Sequence, residues 1–243
     1  MFTDIQDFLA SIHESIGSDF HGSDLANSSV SMHQSEPLPP NIFDDGGFHL
    51  ELLPRWLPDF SSSEAVAGDP HSDREWWNWQ GVDESCAVVA QQGVIESVLH
   101  QDINQDALVS FAREHGWYDP ESGTPPDCVG NLIEAFNIPV ERHFDTSLED
   151  LFDALKRGDK VIVGLNAHEI WEPQYSPEGV PLKQSPAGHA VWVTGITVKD
   201  NEFYVALNDS APLSGWREEV PLKDFMNAWQ DEGNFSVITK LHG

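Results

Sequence analysis

QGVDESCAVVAQQGVIESVL, residues 80–99, is the stretch on which the reading of this chain turns. From Cys86 to Leu99 it is apolar over most of a helical surface, the pattern of a helix buried inside a domain rather than laid on its surface. Its first residue is a cysteine. Downstream, SPAGHAVWVTGITVKDNEFYVALNDS (185–210) carries two strand-like runs, 189–197 and 202–208, rich in β-branched and aromatic residues. The KDN at 199–201 between them reads as a hairpin turn. Residues 160–166 and 235–241 read as further strands. Residues 104–115, 127–136 and 221–229 read as helices. Thr146 and Glu149 read as a capping box opening another helix, with Gly158 at its stop. Helices come first and antiparallel strands later, which predicts an α+β domain with helices packed on an antiparallel sheet.

Composition separates this part from what precedes it. The 243 residues hold 41 Asp+Glu and 12 Lys+Arg, a formal charge of −29. Residues 1–69 contain 12 acidic residues and one basic residue, Arg55, for a net −11, which leaves −18 on residues 70–243. Residues 1–69 are broken by Ser, Gly and Pro and read as largely irregular. Within them, residues 3–16 have the spacing of a short amphipathic helix, and 48–60 gather apolar and aromatic residues between prolines. These pieces serve either to cover the core or to dock a partner. Residues 70–243 read as the folded domain. The charge excludes a general nucleic-acid binder, since such a surface repels phosphates. It disfavours anionic membranes for the same reason. It suits a basic peptide or protein as partner. No apolar run approaches the roughly 20 residues of a membrane helix. The first 17 residues lack the basic start of a signal peptide. A cytoplasmic location is the expectation. Oligomeric state is not legible.

Two cysteines are too few for a disulfide framework or a thiolate-rich zinc site. His168 and Glu169 do not open an HExxH motif, and no metal or cofactor is implied. Cys86 is different, because it opens the buried helix. There the unpaired N–H groups and the helix dipole favour an anion and depress a thiol pKa. His189 follows Gly188 at the head of a strand. Asn208 and Asp209 end the strand across the hairpin, and either is a candidate acceptor for an imidazole N–H. Gln80, six positions before Cys86, supplies a side-chain amide able to stabilise an oxyanion. Trp79 beside it, and Trp171 in a long loop (167–187) before His189, are candidates to border a substrate cleft. Cys128 reads as structural.

Gln80, Cys86, Gly188-His189 and Asn208-Asp209, in that order, resemble the papain-like cysteine peptidases of the bacteriocin-processing, double-glycine-leader type and their stand-alone relatives. The resemblance spans about residues 76–240. It implies a papain-like fold, with Cys86 as nucleophile, His189 as general base and acid, Asp209 as orienting group and Gln80 as oxyanion donor. It implies a cysteine peptidase acting on a peptide or protein by thiol acyl transfer, with water or an amine as final acceptor. Ala87 stands where the family usually has Gly, and Ser210 where it usually has Pro. The membrane and ATPase domains of the family's transporters have no counterpart here. Gly46-Gly47 lacks the upstream apolar residues of a double-glycine leader. A second reading is a catalytically silent papain-like domain that binds a partner through its acidic N-terminal region.

Overall fold

The computed structural model describes residues 43–44, 47–48, 64–81, 84–200, 202–212, 215 and 218–241. The chain divides into two units, Met1–Asp59 and Phe60–Gly243. In the first, β1 (Phe43–Asp44) pairs antiparallel with β2 (Gly47–Phe48). The expected helix at 3–16 and nearly all of the 48–60 cluster lie outside the described residues.

The second unit is built on a seven-stranded antiparallel sheet. Its strands are β3 (Glu64–Gly68), β4 (Val140–His143), β5 (Val161–Asn166), β6 (Gly188–Lys199), β7 (Glu202–Asn208), β8 (Glu218–Pro221) and β9 (Ser236–Thr239). The order across the sheet is β4-β9-β5-β6-β7-β8. β6 is long enough to serve two neighbours along one edge: β5 pairs with Gly188–Val193, and β3 with Gly195–Val198. Residues 64–68, which composition alone assigned to the irregular N-terminal stretch, thus complete the sheet. An Ala-Val-Ala run is too short to show a period by itself, and its partner lies some 130 positions away, out of reach of local pattern.

The helices are α1 (Pro70–Asp73), α2 (Cys86–Leu99), α3 (Gln105–Glu114), α4 (Asn131–Ala135), α5 (Leu148–Lys156), α6 (Ala167–Trp171) and α7 (Leu222–Asp231). α2 is the buried helix that the sequence predicts: Ala87 through Ser97 are all buried. It packs against β6 with no room to spare. A Cβ on Gly93 would lie 2.7 Å from the Trp76 carbonyl oxygen and 3.2 Å from the Trp192 ring. Two of its buried polar side chains, Gln91 and Glu96, are well answered. Gln91 Oε1 accepts from the N–H of Gly130 and Leu132, and Glu96 from Asn78, Gln92 and Ile103 N. A buried amide or carboxylate without such partners would cost several kcal/mol, so these bonds are a condition of the helix being inside.

Three local expectations shift. The capping box of α5 is formed by Ser147 and Asp150, one residue later than the Thr146–Glu149 pair. Thr146 is drawn into the core, where its hydroxyl meets Ser236 Oγ at 2.6 Å. The helix expected over 127–136 is split into a 3-10 turn (Pro126–Cys128) and α4, because Gly130 adopts φ +100° between them. The first five residues of the expected loop 167–187 form α6, capped by Asn166 Oδ1 on His168 N.

Candidate active site

Cys86 sits at the first position of α2, with no acidic side chain in the first turn to oppose a negative thiolate. It is partly exposed and not in a disulfide. His189, 8% exposed, is the second residue of β6 and lies opposite Leu165 of β5. That pairing brings the head of β6 to the N-terminus of α2, and the His189 ring hydrogen-bonds to the Cys86 thiol.

The structure decides between the two acceptors left open at the end of β7, and it does so by strand parity. Trp192 pairs with Asn208, so one step outward Asp209, just past the end of β7, falls opposite Val191. Side chains alternate faces along a strand. His189 and Val191 share a face, and Asp209 shares it with them, while Asn208 points the other way and donates to the Asp73 carbonyl at 2.8 Å. The Asp209 carboxylate Oδ1 lies 2.7 Å from His189 Nε2. That leaves Nδ1 as the ring atom facing the thiol. Asp209 is fully buried and accepts two further bonds, from Trp171 Nε1 to Oδ2 (2.9 Å) and from Ala211 N to Oδ1 (2.9 Å).

The electrostatics follow from these contacts. Burial alone would push the Cys86 thiol up. The His189 hydrogen bond and charge, with the Ala190 and Ala87 N–H groups, outweigh it and hold the thiol below its usual range. Burial likewise opposes charge on His189, but Asp209 and the Cys86 thiolate raise it to about 10. Asp209, despite its burial, is held below the usual carboxylate range by His189, Ala211 and Trp171. All three directions favour the charged forms, with the imidazole ring between the thiol and the carboxylate.

Gln80 is held to Ser210, the residue after Asp209. Its N–H donates to the Ser210 carbonyl (3.0 Å), and its Oε1 accepts from Ser210 Oγ (2.8 Å). Trp79 is 43% exposed and donates from Nε1 to the Ala211 carbonyl at 3.3 Å. Trp171 is 44% exposed, yet its ring stands 5.3 Å from that of His189 and its Nε1 holds Asp209. It covers the His–Asp pair as well as facing outward, a role its place in the sequence does not signal. Glu218, at the start of β8, was also not legible. Burial and the Asp209 charge push its carboxyl up to about 7, against the opposing effect of His189. Its Oε2 is buried with no hydrogen-bond partner among the described residues. No local motif marks it, because β8 is a four-residue edge strand.

The chain belongs to the Peptidase_C39 like family, whose model matches residues 72–237. It is 25% identical over 217 residues to an uncharacterized protein of Mycobacterium bovis, covering 75% of this chain and 88% of the relative. The same figures hold for uncharacterized proteins of two strains of Mycobacterium tuberculosis. Its fold is similar to a crystal structure described as that of a C39-like peptidase from Bacillus anthracis. The TM-score is 0.51 at 13% identity, covering 75% of this chain and 100% of the other. The mixed helix and antiparallel-sheet architecture is therefore papain-like, as the resemblance implies.

Proposed function

We propose that this protein is a cysteine peptidase that cleaves a peptide or protein by thiol acyl transfer. The observation that carries the reading is the 2.7 Å contact between His189 Nε2 and Asp209 Oδ1, with Cys86 on the other side of the ring. Three residues far apart in sequence form one hydrogen-bonded line at a helix N-terminus, which is the arrangement an activated thiol needs.

In this reading the resting pair is thiolate and imidazolium. Cys86 Sγ attacks the substrate carbonyl carbon, and the developing oxyanion is met by the Gln80 side-chain amide and the Cys86 backbone N–H. His189 gives its proton to the leaving amine as the C–N bond breaks. Water, deprotonated by His189, then attacks the thioester carbonyl and releases the acid and the Cys86 thiol. Trp79 and Trp171 border the cleft. The net −18 on residues 70–243 favours a basic peptide.

The test is alkylation by iodoacetamide against pH, with Cys86→Ala as control, alongside a library of basic peptides scored for cleavage by mass spectrometry. The expected profile rises well below the free-thiol value of about 8.5, and cleavage vanishes in the control. A profile at or above that value, traced to Cys86, would defeat the reading.

A further inference from the structure

We propose that Ser210 is a positioning residue for the Gln80 amide, fixing which end of that amide meets the substrate; the inference rests on the peptidase reading above. Ser210 is one of the two positions, with Ala87, at which this chain departs from the pattern it resembles. It is 3% exposed, at the foot of β7 next to Asp209. The segment carrying Gln80 is laced to Asp209, Ser210 and Ala211 by four hydrogen bonds. Trp77 Nε1 donates to the Asp209 carbonyl, Trp79 Nε1 to the Ala211 carbonyl, and Gln80 N to the Ser210 carbonyl. The fourth runs between side chains, from Ser210 Oγ to Gln80 Oε1, at 2.8 Å.

The fourth bond is the one with a chemical consequence. A glutamine amide turns about a broad, roughly two-fold terminal torsion, and its two ends are opposite in kind. An oxyanion is stabilised by Nε2–H and repelled by Oε1. Engaging Oε1 from Ser210 makes the amide present Nε2 at its other end. Because Ser210 adjoins Asp209, the group holding the imidazole and the group orienting the oxyanion donor are carried by the same turn.

The probe is p-nitrophenyl acetate, which needs no knowledge of the natural substrate. Cys86 Sγ displaces p-nitrophenolate, and water hydrolyses the acetyl thioester to acetate. Rates are taken after subtraction of the Cys86→Ala background. Ser210→Ala is expected to slow acylation about tenfold, less than loss of a whole oxyanion donor. It should leave the iodoacetamide pH profile in place, because alkylation develops no oxyanion. Ser210→Thr should restore the rate to within about twofold. In a Gln80→Ala background the Ser210→Ala change should add less than about twofold, since the two act as one unit. The inference is overturned if Ser210→Ala acylates at the wild-type rate. It is equally overturned if the variant loses as much in the Gln80→Ala background, or if it shifts the alkylation profile, which would make Ser210 a support of the ion pair or fold instead. An ordinary thiol profile in the wild type is a different failure. It removes the peptidase reading, and this inference with it.

Discussion

Replacing Asp209 by asparagine keeps the shape of the side chain and removes its charge. The carboxylate now accepts from three donors at once: His189 Nε2 and Ala211 N on Oδ1, and Trp171 Nε1 on Oδ2. An asparagine has one acceptor oxygen. Whichever way its amide turns, its NH2 group confronts at least one N–H donor in a buried place. The bond to His189 is charge-assisted, and such bonds contribute about 1.5–3 kcal/mol net. One pKa unit corresponds to about 1.4 kcal/mol, so the imidazolium loses about one to two units of its preference for the proton. His189 should therefore titrate well below about 10, its value beside the carboxylate. The partner loses too. The thiolate is held low chiefly, once burial is overcome, by the His189 hydrogen bond and charge. The population of the ion pair relative to neutral thiol and imidazole should fall by about 10- to 100-fold. The assay is thiolate absorbance in the ultraviolet together with the iodoacetamide rate, both followed against pH. The expected result is a profile moved toward that of a free thiol in Asp209→Asn. Superimposable profiles would refute the electrostatic role given to Asp209 and leave it a structural turn residue.

Two other outcomes follow from the packing and charge of the domain. Glu218 titrates near 7 in the fold, above its ordinary 4.5, so the native state holds its proton more tightly than the unfolded state does. Its contribution to stability is thus favoured at low pH and is lost as pH rises from about 4.5 through 7. Glu218→Gln should raise stability at pH 8 by about 1–2 kcal/mol, a value discounted for the partial exposure of the group, with little effect near pH 4. An equal change in melting temperature at both pH values would contradict this. Gly93→Ala gains helix propensity of about 1 kcal/mol but forces a methyl group to within 2.7 Å of the Trp76 carbonyl. Overpacking costs about 1–3 kcal/mol. Urea unfolding should show a net loss of up to about 2 kcal/mol, and a more stable variant would show that Trp76 yields freely.

Much of the domain was legible because its signals are local. The buried helix Cys86–Leu99, the hairpin of Gly188–Lys199 and Glu202–Asn208, and the helix Leu222–Asp231 each carry a run of residues whose period and end signals lie within the element. The elements that were misplaced had ambiguous local chemistry. Ser147 and Thr146 are both able caps, and only the packing of Thr146 against Ser236 selects between them. Glu64–Gly68 becomes a strand because β6 offers it an edge, not because of its composition.

The site divides along the same line. The sequence by itself determined that a cysteine opens a buried helix, that a histidine opens an apolar strand, and that an acid or amide closes the next one. Each statement concerns a residue and its immediate neighbours, where propensity and capping act. The tertiary structure decided that Asp209, not Asn208, meets His189, because side-chain facing depends on the register of two strands. It decided that Trp171 covers the pair and that Ser210 reaches Gln80 across 130 positions of chain. Contacts of that kind are set by how the sheet, the helix and the turns pack together, and no stretch of the chain carries them alone.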